Sequence, residues 1–140
     1  MAMTHDEPDI MELHPKWPDV ADVLTKQQYT AVYDGVSDTF YFDFYGPGRA
    51  AVNVEIDKGD HDYMFQRVDV ETQEVVGLQI DDFLAYAVSQ DPYFLDVLAF
   101  AELHHVTPDQ AVAIRRALSR AQDHSASPAS FLDHVEKMTA

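Results

Sequence analysis

Thr39-Phe40-Tyr41-Phe42-Asp43-Phe44-Tyr45 alternates with a period of two. Successive side chains of an extended strand point to opposite faces, so Phe40, Phe42 and Phe44 share one side while Tyr41, Asp43 and Tyr45 share the other. Burying one such aromatic stabilises a fold by about 1.5–3 kcal/mol, so the phenylalanine side demands a covering layer. The stretch therefore predicts a sheet with one apolar face and one polar face.

The flanking sequence repeats the pattern. Tyr29 to Tyr33 leads into Asp34-Gly35-Val36-Ser37-Asp38, whose residue types suit a tight connection. Gly46-Pro47-Gly48 ends the next strand, and Ala51 to Ile56 alternates again, with Val52, Val54 and Ile56 against Asn53 and Glu55. A polar turn over 57–62 precedes a fourth strand from about Tyr63 to Val70. Glu71-Thr72-Gln73-Glu74 then turns the chain into Val75-Val76-Gly77-Leu78-Gln79-Ile80, where Val76, Leu78 and Ile80 align. Short links between consecutive strands predict an antiparallel β-meander of about five strands over residues 29–80.

After Ile80 the period lengthens to about 3.6 residues. Asp81 or Asp82 is placed to cap a helix through Phe83, Leu84, Ala87 and Val88. Asp91-Pro92 restarts the chain, and Phe94, Val97, Leu98 and Ala101 predict a helix over 92–105. Thr107-Pro108-Asp109-Gln110 has the form of a capping box. Its helix carries Ala111, Ile114, Leu118 and Ala121, and a last helix follows Pro128 through Phe131, Leu132, Val135 and Met138. Near the start, Trp17-Pro18-Asp19 opens a short helix with Pro18 in its first turn and Trp17 as an anchor. Strands followed by helices, without βαβ alternation, define an α+β fold. Residues 1–16 read as an acidic, flexible lead-in and 17–140 as one domain, with the sheet at 29–80 and C-terminal helices at 81–140.

Tyr33-Asp34, Asp38, Phe40-Tyr41-Phe42, Val68-Asp69 and the Val75–Ile80 run together resemble a small prokaryotic family, domain of unknown function 2283. The resemblance covers about residues 29–85. It implies a small sheet closed by a helix and brings no agreed activity. This chain departs from the family pattern with Gln79 where an acid is usual, and with a helical tail that has no counterpart. On physical grounds Asp34 and Asp38 suit acceptance of backbone N–H bonds within their turn. Gly77 lies opposite Val76 and Leu78, where a neighbouring side chain can cover its backbone.

The 140 residues carry a net charge of −16, with 25 acids against nine Lys and Arg. Such a chain repels nucleic-acid phosphates, which makes direct nucleic-acid binding an unattractive function, and it draws in a basic protein partner. The absence of cysteine excludes disulfides and thiolate metal sites. No apolar run approaches a membrane span, and the acidic start lacks the pattern of a signal peptide, so a cytoplasmic location without membrane contact is expected.

Candidate sites are few. Asp57, Asp60, His61 and Asp62 place oxygen ligands and one imidazole in a single loop, though without the calcium-hand order. His104 and His105 lack the spacing of a zinc helix. Asp43 and Glu55 project from strand faces as the nearest approach to a catalytic carboxylate pair. Arg115, Arg116 and Arg120 concentrate basic charge on one helix, a docking edge for an acidic surface. Tyr93, Leu95 and Phe100 lie off the main stripe of the 92–105 helix and point to a homo-oligomeric, dimeric contact. No nucleophile elbow, phosphate loop or dinucleotide fingerprint is present, and no cofactor is expected. The leading expectation is a non-enzymatic protein–protein interaction or regulatory module. A metal-assisted or carboxylate hydrolase built on the 57–62 loop competes with it, and an acidic DNA mimic is a third reading.

Overall fold

The computed structural model describes residues 13–56, 63–120 and 126–139, with Arg120 described through its backbone alone. One sheet holds the strands β1 (Thr30–Asp34), β2 (Thr39–Asp43), β3 (Val52–Glu55), β4 (Met64–Val68), β5 (Val75–Ile80) and β6 (Glu102–His104). Five helices accompany it: α1 (Val20–Lys26), α2 (Val88–Gln90), α3 (Tyr93–Asp96), α4 (Pro108–Arg120) and α5 (Pro128–Thr139). The chain is an α+β protein with a mostly antiparallel sheet and C-terminal helices.

The spatial order is β3-β4-β5-β2-β1-β6. Every neighbouring pair is antiparallel except β1 and β6, which run parallel. Strands consecutive in sequence are therefore not always neighbours, because β5 rather than β3 lies against β2. Burial accounts for this. Five of the six β5 residues are buried, so this strand is stable only with neighbours on both sides, whereas β3 exposes Asn53 and Glu55 and sits at the edge.

The helix expected over 92–105 does not form as one piece. Tyr93–Asp96 makes a single turn, Val97–Ala99 continues as a 3-10 turn, and Glu102–His104 leaves the helical path as β6. In that path the Gly35 N–H donates to the His104 carbonyl at 2.8 Å. A continued helix would leave the β1 edge without this partner, and unpaired backbone groups are costly once shielded from water. Of the helically spaced residues, Phe94, Val97 and Leu98 form one buried side of two short turns, while Ala101 lies past them and is half-buried.

Phe40, Phe42 and Phe44 lie at 0–1% exposure on the covered face. Phe131 of α5 inserts between them, with ring centroids 5.4 Å from Phe40 and 5.5 Å from Phe42. Phe83 and Phe94 extend the cluster beneath the helical segments. Trp17 packs 5.5 Å from Phe44 and donates its indole N–H to Gln66 at 3.0 Å, so the lone tryptophan is a core anchor. Pro18 stands before the cap of α1 rather than inside its first turn, because the Asp19 carboxylate accepts from Ala21 N at 3.0 Å. Lys16, at the end of the expected lead-in, exchanges backbone bonds with Gln73 and Val75 at 2.9 and 2.8 Å. Among the described residues no helix is long and apolar enough to cross a membrane.

Candidate functional site

The Tyr33-Asp34 and Asp38 positions build a structural hub. Tyr33 donates its hydroxyl to Asp38 Oδ1 at 2.6 Å. The same carboxylate accepts from Leu84 N at 2.9 Å and Ala85 N at 3.0 Å, and the Asp38 carbonyl accepts from Phe83 N at 2.8 Å. Asp38 thus caps the π-helical turn Phe83–Ala87, which runs into α2. This corrects two expectations. Asp82 occupies the cap position but makes no side-chain cap bond, and the Asp38 side chain serves a helix 46 residues downstream instead of its own turn. Asp34 behaves as expected, accepting from Val36 N at 2.9 Å. Burial and the Asp38 carboxylate together push the Tyr33 phenol well above its ordinary value, so this hydroxyl stays protonated as a donor.

The hub also holds the α4 entrance. Thr107 and Gln110 form the expected capping box, at 2.9 Å from Thr107 N to Gln110 Oε1 and 3.1 Å from Gln110 N to Thr107 Oγ1. Gln110 Nε2 reaches across to the Gly35 carbonyl at 2.9 Å. A Cβ on Gly35 would lie 2.5 Å from the His105 carbonyl oxygen and 2.9 Å from Val106 Cα, so only glycine permits this approach.

The opposite face of the sheet has a different character. Strand register aligns Glu102, Val32, Tyr41, Gln79, Phe65 and Glu55 in one row that crosses all six strands. The adjacent row runs Thr30, Asp43, Gly77, Arg67 and Asn53. Tyr41 and Gln79, in the central strands, stay half-buried, whereas their neighbours on the phenylalanine face are sealed. Glu55 and Glu102 are exposed at the two ends. The covered side is thus a core and the other an open, acidic surface with Tyr41 and Phe65 at its middle.

Two side-chain pairs reach across a strand on this surface: Asn53 donates to Gln79 Oε1 at 3.3 Å over β4, and Asp43 and Arg67 form an ion pair over β5. In the ion pair Arg67 Nη1 lies 2.8 Å from Asp43 Oδ1. Gly77 makes this crossing possible. A Cβ there would sit 2.9 Å from Asp43 Oδ1 and 3.0 Å from the Phe42 carbonyl. The expected cover over the Gly77 backbone is therefore this ion pair. With the Asp43 side chain only 14% exposed, burial raises its carboxyl above the ordinary range, and the Arg67 charge and hydrogen bond pull it back only in part. At one end of the surface Tyr45 donates to Glu74, and Arg49 stacks over the Tyr45 ring at 5.0 Å while approaching Asp69 at 3.6 Å. Burial, followed by the Glu74 contact, pushes the Tyr45 phenol up to about 12.

The residues singled out from sequence fall in several places. Asp43 and Glu55 share the open face but not a site, since three strand spacings of about 4.8 Å separate their strands. Asp57, Asp60, His61 and Asp62 lie outside the described residues. Among the described residues no group of three or more His, Asp and Glu side chains is placed to hold a metal ion. Tyr93, Leu95 and Phe100 are half-buried and pack against the core. Phe100 approaches Phe42 and Phe131, while Tyr93 stacks on His134 at 4.4 Å and shares a 2.7 Å hydrogen bond with Ser130. His134 in turn meets Asp91 at 2.6 Å, which ties α5 to the link between α2 and α3. Arg115 and Arg116 are exposed on α4.

Sequence reasoning missed Arg67 and Phe65. Both occupy the polar side of the β4 alternation, so their face was readable. Their neighbours were not, because register depends on β5 standing between β4 and β2. Comparison with protein-family models, curated proteins and solved structures finds no match for this chain.

Proposed function

We propose that the protein is a non-enzymatic binding module whose open sheet face receives a basic protein partner. One observation carries the reading: a row across six strands with carboxylates at both ends and aromatic rings between them, on the side away from the helices. Asp34, Asp43 and Asp81 share that side, and Arg67 is already engaged by Asp43. Exposed carboxylates steer a cationic surface inward and set its register, while Tyr41 and Phe65 offer ring faces to Arg and Lys side chains. The Tyr33–Asp38 and Asp43–Arg67 constellations serve the framework beneath this surface.

The test is titration of a fluorescent lysine- and arginine-rich peptide against the full chain. Glu55→Lys with Glu102→Lys should weaken binding by roughly tenfold or more, as loss of close charge pairs does. Asp133→Lys with Glu136→Lys on α5 changes net charge equally, away from the face, and should leave binding within about threefold through screened long-range charge alone. Equal losses in the two variants would reduce the effect to net charge and overturn the assignment of the face.

A further inference from the structure

The chain carries a complement to its own acidic face. Among the described residues Lys26, Arg49, Arg67 and Lys137 each meet a carboxylate, whereas Lys16, Arg115 and Arg116 stand exposed with no ion pair, the two arginines side by side on α4. In a protein of net charge −16 an unanswered pair of guanidinium groups is unexpected, because acids are abundant. Val112 lies one helical turn earlier on the same outer side and is 44% exposed, while Ile114 faces the core at 2%. The outward stripe of α4 is therefore apolar at Val112 and cationic at Arg115 and Arg116, matching a surface with aromatic rings flanked by carboxylates.

Dimensions agree as well. The 13 residues of α4 span about 20 Å at ~1.5 Å per residue. The row across the six-stranded sheet spans about 24 Å at ~4.8 Å per strand. The two surfaces belong to different parts of the fold, α4 on the helical side and the row on the open side. Contact between them must then join two molecules, head to tail.

We infer that α4 of one copy docks through Arg115, Arg116 and Val112 across the open sheet face of a second copy, occupying the surface that would otherwise receive the basic partner. The inference rests on that face being the binding surface, and it adds that self-association and partner binding compete. A single helix covers less than the ~1,600 Å² of a standard interface, so the contact is weak and reversible. Salt acts on it in two directions. Low ionic strength leaves the repulsion between two acidic bodies unscreened, and high ionic strength weakens the apposed pairs, so association peaks between them. A head-to-tail contact does not close on itself by two-fold symmetry, and the wild-type chain therefore extends beyond a dimer as concentration rises.

Sedimentation velocity on the full chain, with circular dichroism to verify folding, tests this. Wild type should associate with increasing concentration. Arg115→Ala with Arg116→Ala, and separately Glu55→Lys with Glu102→Lys, should each remain monomeric. An equimolar mixture of the two variants should form a species that stops at the dimer, since it contains one intact helix edge and one intact face. A wild type that stays monomeric across salt and concentration, a variant that associates like wild type, or a folded mixture that stays monomeric would overturn the inference. Peptide titration separates this from the parent reading. The arginine variant should bind the cationic peptide at least as well as wild type, and if only self-association fails, the partner surface stands. If the Glu55 and Glu102 variant also keeps full peptide affinity, the parent reading falls too.

Discussion

Phe40 and Tyr41 are neighbours in β2, yet they belong to different regions of the molecule. Phe40 contacts Phe83 and Phe131 beneath the helices and is fully buried. Tyr41 shares a row with Gln79 and Val32 and remains half-buried on the open side. The two sides of one sheet thus differ in kind, with packed aromatic rings on one and water-accessible polar and acidic groups on the other. Acidic charge is tolerated because it accumulates where water still reaches, while the helices protect the apolar side.

The sharpest break between the two sides should come from truncating adjacent rings. Phe40→Ala is expected to lower unfolding free energy by about 3–5 kcal/mol, because it empties a closed aromatic site. Tyr41→Ala should cost only about 1 kcal/mol, within the ordinary range for half-buried positions. Urea unfolding of both variants checks the contrast, and equal losses would abolish it.

Asp38 and Asp34 offer a second contrast within one turn. Asp38→Ala removes a cap from two helical N–H groups and strands the Tyr33 hydroxyl, for an expected loss of about 2–3 kcal/mol. Asp34→Ala removes one local turn bond and an exposed 3.6 Å approach to His105, and should cost about 1 kcal/mol or less. A reversed order in thermal or urea unfolding would show that Asp38 is not the keystone of the hub.

Much of the fold was legible because it is written in local periodicity. Phe40, Phe42 and Phe44 announced the buried side of β2, and Thr107 with Gln110 announced the start of α4. What was not legible is set by distant partners. Glu102-Leu103-His104 has no local reason to be a strand, and becomes one by completing the β1 edge after a helical pattern has run out. Asp38 looked like a turn residue because its backbone N–H partners at Leu84 and Ala85 are far along the chain. Asp43 stood out in the sequence as half of a carboxylate pair with Glu55, and its actual partner Arg67 was hidden by a strand order that places β5 between them. Residues 57–62 fall outside the described residues.

Gly77 ties the acidic surface to the sheet beneath it. Gly77→Ala should force the Asp43 carboxylate aside and cost about 1–2 kcal/mol, as insertion of a methyl into a closed contact does. Arg67→Ala, tested beside it, should cost a similar amount by leaving the shielded Asp43 unpaired. If Gly77→Ala is neutral in urea unfolding, the ion pair has room that the close approach denies.

The smallest expected effect concerns pH. Burial raises the folded-state Asp43 carboxyl above its ordinary 3.8, so the folded protein holds that proton more tightly than the unfolded chain does. Its contribution is therefore most favourable at low pH and declines as pH rises from about 3.8 through the raised folded-state value. Stability of wild type relative to Asp43→Asn should fall across that window in urea unfolding at stepped pH. A rise across the same window would mean that Arg67 dominates over burial.

The division between the two faces can be read residue by residue, because the chain has no native cysteine to interfere. Single-cysteine variants at Phe40, Tyr41, Phe42, Asp43, Phe44 and Tyr45 should react with a water-soluble thiol reagent under native conditions in alternation. Fast labelling is predicted at 41 and 45, slower labelling at 43, where Arg67 lies over the site, and protection at 40, 42 and 44. Uniform labelling, or fast labelling at the phenylalanine positions, would contradict a sheet with one sealed face and one open to water.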